Sequence, residues 1–184
     1  MWLMKINLIV SETQQKTNAI TKPRVYVETS VISYLVARPS RDMLIFSRQE
    51  QTHLWWDSVD KSVLTISDLV ILEISRGDAL AAARRLEIAS TLINLPYDSQ
   101  AQALSVRLMN AGLVPQTEAE DALHIAQATL TRCDYILSWN FAHFVNPQAK
   151  IRLFTMLNHW GYRSPLLVTP QELLENASKT TRNN

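Results

Sequence analysis

The sequence predicts an α/β protein with a central parallel sheet of four or five strands, and three observations support this fold class. Short β-prone runs and helix-forming stretches alternate along the chain, as they do in folds built from strand–helix–strand units. The runs are apolar at almost every position, which is typical of strands buried on both faces. The chain has 184 residues, of which 47% are hydrophobic and 19% charged, so it is long enough for one domain with a substantial core.

The strands are predicted from β-branched or apolar runs that end at a polar residue, a proline or a helix cap. Pro96, for example, ends the third run. In chain order, the predicted strands are 25–27, 63–66, 92–95, 135–138 and 166–168.

The helices are predicted from the spacing of apolar residues and from capping residues such as Asp68 and Asp98. Gly77, Gly112 and Gly161 follow three of them as stop signals. The predicted helices are 29–37, 43–59, 68–77, 79–89, 98–111, 115–130, 151–160 and a last one led by Pro170. In the second helix, the residues available for a buried stripe are Leu44, Ile45, Leu54, Trp55 and Val59.

Composition and charge limit the classes of function. The formal net charge is +1, so a nucleic acid would have to be held by a local patch of positive charge. Cys133 is the only cysteine, which favours a reducing compartment, and we expect a cytoplasmic protein. No apolar run is long enough to span a bilayer. We expect residues 1–22 to form an N-terminal extension, residues 23–176 the domain, and residues 177–184 a flexible tail.

Four residues that bear a carboxylate or an amide lie where a predicted strand gives way to a helix or close to such a junction. They are Glu28, Glu73, Asp121 and Asn140. Ligands of parallel sheets bind beyond the carboxyl ends of the strands, so these side chains are expected to converge there. Clustered carboxylates repel one another unless a cation neutralises them. Oxygen ligands without a cysteine or histidine quartet favour Mg²⁺ or Mn²⁺ over Zn²⁺.

Each of the four also has a simpler interpretation. Glu73 can be a solvated helix position, Asp121 can belong to an acidic helix start that favours the helix dipole, and Asn140 can be a turn residue. Glu28 is the hardest to explain in this way, because a charge at the end of an apolar strand is costly without a partner. His124 lies one turn after Asp121, and we place it beside the metal site rather than among its ligands.

The sequence resembles the PIN-domain family, in particular the VapC-like toxins of bacterial toxin–antitoxin pairs. The order and spacing of the matching pieces cover roughly residues 24 to 175. Those pieces are Val25-Tyr26-Val27-Glu28-Thr29-Ser30, Leu72-Glu73-Ile74-Ser75-Arg76-Gly77-Asp78, Glu120-Asp121-Ala122-Leu123-His124-Ile125-Ala126 and Tyr135-Ile136-Leu137-Ser138-Trp139-Asn140-Phe141.

The resemblance implies a PIN-like three-layer α/β/α sandwich and an Mg²⁺- or Mn²⁺-dependent endoribonuclease that cleaves single-stranded RNA. It also implies a homodimer and a cognate antitoxin that covers the active site. On this basis Glu28, Glu73, Asp121 and Asn140 are the expected catalytic and metal-binding residues. The family usually has aspartate at the first position and often at the fourth, where this chain has Glu28 and Asn140.

These two departures motivate an alternative, which is a PIN-like interaction module with weak or no nuclease activity. A metal-dependent phosphatase or DNA nuclease with the same cluster is a third possibility.

The RNA substrate would need contacts beyond the metal. Ser30 is a candidate to orient the substrate or the metal ligands, and Arg38 and Arg41 are candidates for phosphate contacts after the first helix. Arg48 is a weaker candidate of the same kind, and the Trp55-Trp56 pair offers a possible stacking surface. Against this, arginines are usually solvated and adjacent helical tryptophans are usually divided between core and surface.

Overall fold

The computed structural model describes residues 22–141 and 146–175. Residues 1–21 of the predicted extension and the predicted tail, 177–184, lie outside the described residues.

A five-stranded parallel sheet forms the centre of the domain, in the order β3-β2-β1-β4-β5. The predicted α/β class and the number of strands are confirmed. The strands are β1 (Val25–Val27), β2 (Leu64–Ser67), β3 (Ile93–Leu95), β4 (Tyr135–Leu137) and β5 (Leu166–Val168).

Helices connect the strands in the order that the sequence predicts. A short 3-10 turn, Lys61–Val63, precedes β2, and residues 170–175 are helical after β5. The remaining helices are α1 (Thr29–Val36), α2 (Met43–Ser58), α3 (Asp68–Ile74), α4 (Ala79–Ala89), α5 (Ala101–Asn110), α6 (Ala119–Leu130) and α7 (Pro147–His159).

The strand order places the helices on both faces of the sheet. From β1 the chain moves outward through β2 to β3, and it then returns past β1 to β4 and β5. Because parallel crossovers are right-handed, this reversal puts α1–α4 on one face and α5–α7 on the other. Consistent with this, α1 contacts α2, α3 and α4, whereas α5 packs against α6. The direction of winding changes between β1 and β4, which is where doubly wound sheets bind ligands.

The central strand β1 fixes the position of the site. Tyr26 and Val27 are fully buried, as are Ile136 and Leu137 of β4. Val27 pairs with Leu137 in the parallel register, and the amide of Glu28 donates to the carbonyl of Leu137 at 3.0 Å. The residues that follow β1 and β4 therefore leave the sheet side by side.

Three helix starts differ from the predicted ones. Helix α6 begins at Ala119, because residues from Pro115 form a turn in which the amide of Glu118 donates to the carbonyl of Pro115. Helix α7 begins at Pro147, earlier than the predicted Ile151, because the Asn146 side chain caps it. Helix α5 begins at Ala101, since the Asp98 side chain accepts from the amide of Gln100 in a turn before the helix.

The predicted buried stripe of α2 is wrong for most of its members. Trp55 is buried, but Leu44 and Leu54 are 63% and 61% exposed, and Ile45 is exposed as well. The buried face instead carries Gln49 and Thr52. Both side chains have hydrogen-bond partners outside the helix, and the Thr52 hydroxyl also donates to the carbonyl of Arg48 within it, which makes their burial inexpensive.

The partners outside the helix come from neighbouring segments. The amide nitrogen of the Gln49 side chain donates to the carbonyl of Arg38, and its oxygen accepts from the amide of Ser40. The Thr52 hydroxyl accepts from the indole nitrogen of Trp139 at 2.8 Å. Helix α2 is thus held to the loop before it and to the segment after β4 by hydrogen bonds.

None of the helices within the described residues has the length and apolar character that a membrane crossing requires.

Candidate metal centre

The four residues predicted from the strand–helix junctions line one small pocket at the carboxyl edge of the sheet, here called the acidic pocket. Its volume is about 190 Å³. The lining residues are Glu28, Thr29, Glu73, Arg76, Glu120, Asp121, His124 and Asn140. Four of these eight side chains are carboxylates, from three separate segments of the chain, so the pocket concentrates negative charge.

Glu28 is 2% exposed and is held by its neighbours through one oxygen. Its Oε2 accepts from the amide of Ser30 at 3.0 Å and from the hydroxyl of Ser138 at 2.8 Å. The hydroxyl of Ser30 donates to the same atom. Within the described residues all hydrogen bonds to this carboxylate go to Oε2, so Oε1 is the atom left to bind a cation.

This arrangement explains how glutamate is accommodated at the end of β1. The side chain folds back and acts as the N-cap of α1, so the additional methylene does not carry the carboxylate straight into the pocket. The two serine hydroxyls are themselves oriented by backbone donors, since Ser30 accepts from the amide of Trp139 and Ser138 from the amide of Asn140, both at 2.9 Å. Glu28 is therefore preorganised.

Glu73, near the end of α3, faces Glu28 from the neighbouring segment. Its carboxylate accepts from the hydroxyl of Thr29 and lies 3.0 Å from Nε2 of His124. Burial raises the pKa of Glu73, but the hydrogen bond and the charge of His124 outweigh it and leave this pKa below its usual value. Glu73 is thus an ionised carboxylate at neutral pH.

Asp121 lies in the first turn of α6 and is 9% exposed. Burial raises its pKa to about 7, and the negative charge of Glu28 adds to the effect. These two effects outweigh the charge of His124, which lowers the same pKa.

Glu28, Glu73 and His124 each offer one potential ligand atom, and these three atoms all lie within 4.8 Å of one another. Asp121 and Asn140 line the same pocket without belonging to this group. Oε1 of Glu28, an ionised Glu73 and the carboxyl of Asp121 are oxygen donors of the kind that a hard divalent cation prefers. The residues present therefore suit Mg²⁺ or Mn²⁺.

Several residues that shape this site were missed or left aside in the sequence. Ser138 holds Glu28, and Arg76 lines the pocket 3.8 Å from Glu120. Arg76 follows Glu73 by three residues in the predicted helix 68–77, a spacing that would put the two side chains on one face. In the structure α3 ends at Ile74, and Arg76 reaches the pocket from just beyond the helix. His124, placed beside the site by the sequence, lines the pocket and is buried.

The predicted substrate residues lie in different places. Ser30 is buried and its hydroxyl bonds to Glu28, so its position supports orientation of the metal ligands. Arg38 lines a separate pocket of about 570 Å³ beside Arg84 and Arg85. Arg41 is exposed in the loop before α2, and neither it nor Arg38 is among the described residues that line the acidic pocket. Their contacts with substrate stay predictions.

The tryptophan pair is divided between core and surface. Trp55 is buried and cannot offer a stacking surface, whereas Trp56 is half-buried with the Lys61 ammonium 4.4 Å from its ring centroid. Arg48 instead lies over the ring of Trp139, with 5.4 Å between the guanidinium carbon and the ring centroid.

Binding of Mn²⁺ is expected to tighten as the pH rises from 6 to 8. If Asp121 binds the cation, the cation competes with the proton on this residue, whose pKa is about 7, so binding below that pH releases a proton. Isothermal titration calorimetry in buffers of different ionisation enthalpy measures both quantities. Proton release near zero at pH 6 and an affinity that does not change with pH would contradict a role for Asp121 in cation binding.

Comparison with known proteins shows the fold. No protein-family model matches the chain, and no curated protein matches it. Solved structures do match it, and two of them are described here. A toxin–antitoxin complex from Klebsiella pneumoniae has a TM-score of 0.52 and 16% identity, and covers 79% of this chain and 97% of that one. FitAcB from Neisseria gonorrhoeae has a TM-score of 0.51 and 16% identity, and the alignment covers 80% of this chain and 98% of that one.

These alignments extend over most of the described residues and nearly the whole of the other chains. At 16% identity they establish a common fold. The PIN-like α/β/α sandwich that the sequence resemblance implied is therefore confirmed.

Proposed function

We propose that this protein, which has the PIN-like fold, is an Mg²⁺- or Mn²⁺-dependent endoribonuclease that cleaves single-stranded RNA, and that it is the toxin of a toxin–antitoxin pair. The observation that carries the proposal is the convergence of Glu28, Glu73, Asp121 and Asn140 on one pocket of about 190 Å³. The likeness in fold to a protein from a toxin–antitoxin complex supports the biological role.

In this proposal Glu28, Glu73 and Asp121 hold the metal ion, and Asn140 contributes its amide oxygen or positions a water. When bound, the cation supplies an activated water and a counter-charge for the leaving oxygen of the phosphodiester. The serines around Oε2 of Glu28 keep its second oxygen directed to the pocket. The chain thus holds its ligands in place before the cation arrives.

Arg76 is the basic side chain best placed to bind an RNA phosphate at the pocket. It lines the pocket, and its side chain is 61% exposed, so its weak ion pair with Glu120 leaves it accessible. Exposed ion pairs of this kind contribute little stability, so Arg76 can exchange Glu120 for a phosphate at small cost.

Replacing Arg76 with alanine is expected to raise KM for RNA several-fold while changing kcat less. Loss of one phosphate contact also reduces the slope of log affinity against log salt concentration by about 0.7 for a single strand. Steady-state cleavage assays at several salt concentrations measure both. Arg152, exposed on α7, is the matched control, and equal effects of Arg76→Ala and Arg152→Ala would remove Arg76 from the site.

The proposed activity is tested with the purified full chain on a labelled single-stranded RNA and on the same RNA annealed to its complement. Cleavage is expected with Mn²⁺ or Mg²⁺, and is expected to stop in EDTA and to be slower on the duplex. A Glu73→Gln/Asp121→Asn protein purified in parallel controls for contaminating nuclease. Cleavage that persists in EDTA, or that the double variant shows equally, would refute the assignment.

The interaction module is the second candidate, favoured by Glu28 and Asn140 in positions where the family usually has aspartate. The buried, serine-held carboxylate of Glu28 weighs against it, since an interaction module has no need to preorganise a charge in a pocket. Calorimetry separates the two hypotheses: no binding at millimolar Mn²⁺ favours the module, and binding with proton release favours the enzyme. A single-stranded and double-stranded DNA oligonucleotide and a phosphomonoester in the same assay test the DNA nuclease and phosphatase alternatives.

A cognate antitoxin, a homodimer and a cytoplasmic location belong to the same proposal. The first turn of α2 supports a protein partner, because Met43 and Leu44 are 80% and 63% exposed there and clustered exposed apolar side chains mark interaction sites. The single cysteine, Cys133, is buried and free, which suits a reducing compartment.

A further inference from the structure

A chain of buried hydrogen bonds leads from the middle of the sheet to Glu73. The hydroxyl of Ser67 lies 2.8 Å from the hydroxyl of Tyr26, which lies 2.9 Å from Nδ1 of His124. On the other side of the imidazole ring, Nε2 lies 3.0 Å and 3.2 Å from the two carboxylate oxygens of Glu73. The ring therefore has a partner at each nitrogen.

Burial makes this chain rigid. Ser67 and Tyr26 are fully buried and His124 is 2% exposed. The three residues come from β2, β1 and α6, so each is fixed by a different element of the fold. Tyr26 lies outside the group of described residues that line the acidic pocket, and its hydroxyl contacts His124, which does line it.

The hydrogen bond between His124 and Glu73 can have only one direction, with the histidine as donor. A carboxylate only accepts hydrogen bonds, so Nε2 of His124 carries the proton. Nδ1 can then accept from the hydroxyl of Tyr26, which in turn accepts from Ser67. If the imidazole is protonated, the two hydroxyls reverse and the hydrogen bonds His124–Tyr26 and Tyr26–Ser67 are both kept. The Nε2–H donor is the same in both arrangements.

We propose that His124 is a positioning residue for Glu73, and that Tyr26 and Ser67 set its ring orientation so that the Glu73 carboxylate is presented to the metal in one rotamer. This rests on the proposed function in one respect, namely that Glu73 holds a divalent cation. Groups that orient a metal ligand in this way typically alter metal affinity or activity 10- to 100-fold when they are replaced.

The competing arrangement makes Nε2 of His124 a metal ligand together with Glu28 and Glu73, whose atoms are close enough. The hydrogen bonds favour the positioning role. Nε2 faces both oxygens of Glu73, and to bind a cation it must lose its proton and the contact with that carboxylate. The hydroxyl of Tyr26 at Nδ1 also holds the ring in place.

Four single variants test the proposal by Mn²⁺ calorimetry. His124→Leu removes the donor and is expected to weaken Mn²⁺ binding at least tenfold, whereas His124→Gln keeps an N–H donor and is expected to restore binding to within about threefold of wild type. Tyr26→Phe, the mildest change, is expected to weaken binding several-fold. Thr129→Val is the control, because it removes a buried hydroxyl of α6 that is bonded only to the carbonyl of Ile125 among the described residues. This variant is expected to leave Mn²⁺ binding unchanged.

Equal Mn²⁺ affinity in wild type, Tyr26→Phe and His124→Leu would overturn the positioning role. If His124→Leu does not fold, Tyr26→Phe against Thr129→Val still decides, because equal affinities of those two variants overturn the role and a loss confined to Tyr26→Phe supports it.

Two spectroscopic readouts need no RNA. Nitrogen-15 NMR of the metal-free protein is expected to show a proton on Nε2 of His124, and an unprotonated Nε2 would overturn the proposal. Pulsed EPR of the Mn²⁺-loaded protein is expected to show no directly coupled imidazole nitrogen. A strong nitrogen coupling that His124→Gln abolishes would make His124 a ligand and likewise overturn it.

The outcome separates this inference from the proposed function. A wild-type protein that binds Mn²⁺ with these spectra but cleaves no RNA refutes the ribonuclease and leaves the positioning role standing. A protein that cleaves RNA with Mn²⁺ and shows nitrogen coupling retains the ribonuclease and loses the positioning role. A protein that binds no Mn²⁺ loses both.

Discussion

Asp121→Asn is expected to produce a protein that is more stable than wild type in the absence of metal and that cleaves RNA at least about 100-fold more slowly. Burial and the charge of Glu28 raise the pKa of Asp121 to about 7, so at pH 8 the folded state holds a carboxylate in an unfavourable place. The neutral amide of asparagine removes that repulsion at nearly the same volume. The gain should appear as a rise of a few degrees in the unfolding midpoint, since 1 kcal/mol corresponds to roughly 2–4 °C for a chain of this size.

The pH dependence gives this prediction a definite sign. The pKa of Asp121 is higher in the folded state than in the unfolded chain, where it is near 4, so the folded state binds more protons between those two values. The contribution of Asp121 to the free energy of unfolding is therefore most favourable below about pH 4 and declines as the pH rises towards 7. Thermal unfolding of both proteins in EDTA from pH 4 to 8 should show their midpoints diverging with rising pH.

The loss of activity has a separate cause. A carboxylate that helps to hold the cation supports several kcal/mol of charge stabilisation in the transition state, and each 1.4 kcal/mol is a factor of ten in rate. RNA cleavage at saturating Mn²⁺ measures the loss. Equal cleavage rates in wild type and Asp121→Asn would remove Asp121 from the catalytic machinery, and an unchanged unfolding midpoint at pH 8 would contradict the electrostatic account of its pKa.

Ser30→Ala is expected to lower the stability of the protein, whereas Asp121→Asn raises it. Both variants are expected to cleave RNA more slowly than wild type. The hydroxyl of Ser30 donates to Oε2 of Glu28 and accepts from the amide of Trp139, and both partners are at least partly buried. Leaving a buried charged group with one donor fewer costs about 1–3 kcal/mol, and the amide loses its acceptor as well. We expect a decrease of about 2–4 kcal/mol in the free energy of unfolding.

Urea denaturation measures this decrease, and Ser105→Ala is the matched control. Ser105 is also buried, but its hydroxyl donates to the carbonyl of Gln102 within its own helix, so its removal should cost much less. RNA cleavage by Ser30→Ala should fall because Glu28 is no longer fixed. A loss of stability no greater than that of Ser105→Ala would show that Ser30 does not hold the Glu28 carboxylate.

The sequence predicted the order of strands and helices well, because the strands of a buried parallel sheet are short apolar runs with clear ends. The junction after β1 was also predictable: an acidic residue such as Glu28 at the end of an apolar strand is expensive unless the fold uses it. The same topology rule that places ligands at the carboxyl ends of strands predicted that Glu73, Asp121 and Asn140 would come close to it.

The partners of these residues could not be predicted, because they are distant in the chain. Thr29 and Glu73 are separated by 44 positions, and Glu28 and Ser138 by 110. Nothing in the local pattern around His124 indicates that a tyrosine in β1 will face its Nδ1 atom. The prediction of the buried face of α2 was wrong for a related reason. Gln49 and Thr52 look like surface residues in the sequence, because their partners at Ser40 and Trp139 are not apparent there.

The central place of β1 in the sheet has a consequence for how the protein matures during synthesis. β1 is made first, but one of its neighbours, β4, is separated from it by about 110 residues, and the hydroxyl of Ser138 reaches Glu28 only when that strand docks. Pairings over such sequence separations form late, because the loop between them must close first. A chain that ends before residue 138 therefore lacks a finished acidic pocket, so the growing polypeptide stays without this site until most of the domain has left the ribosome.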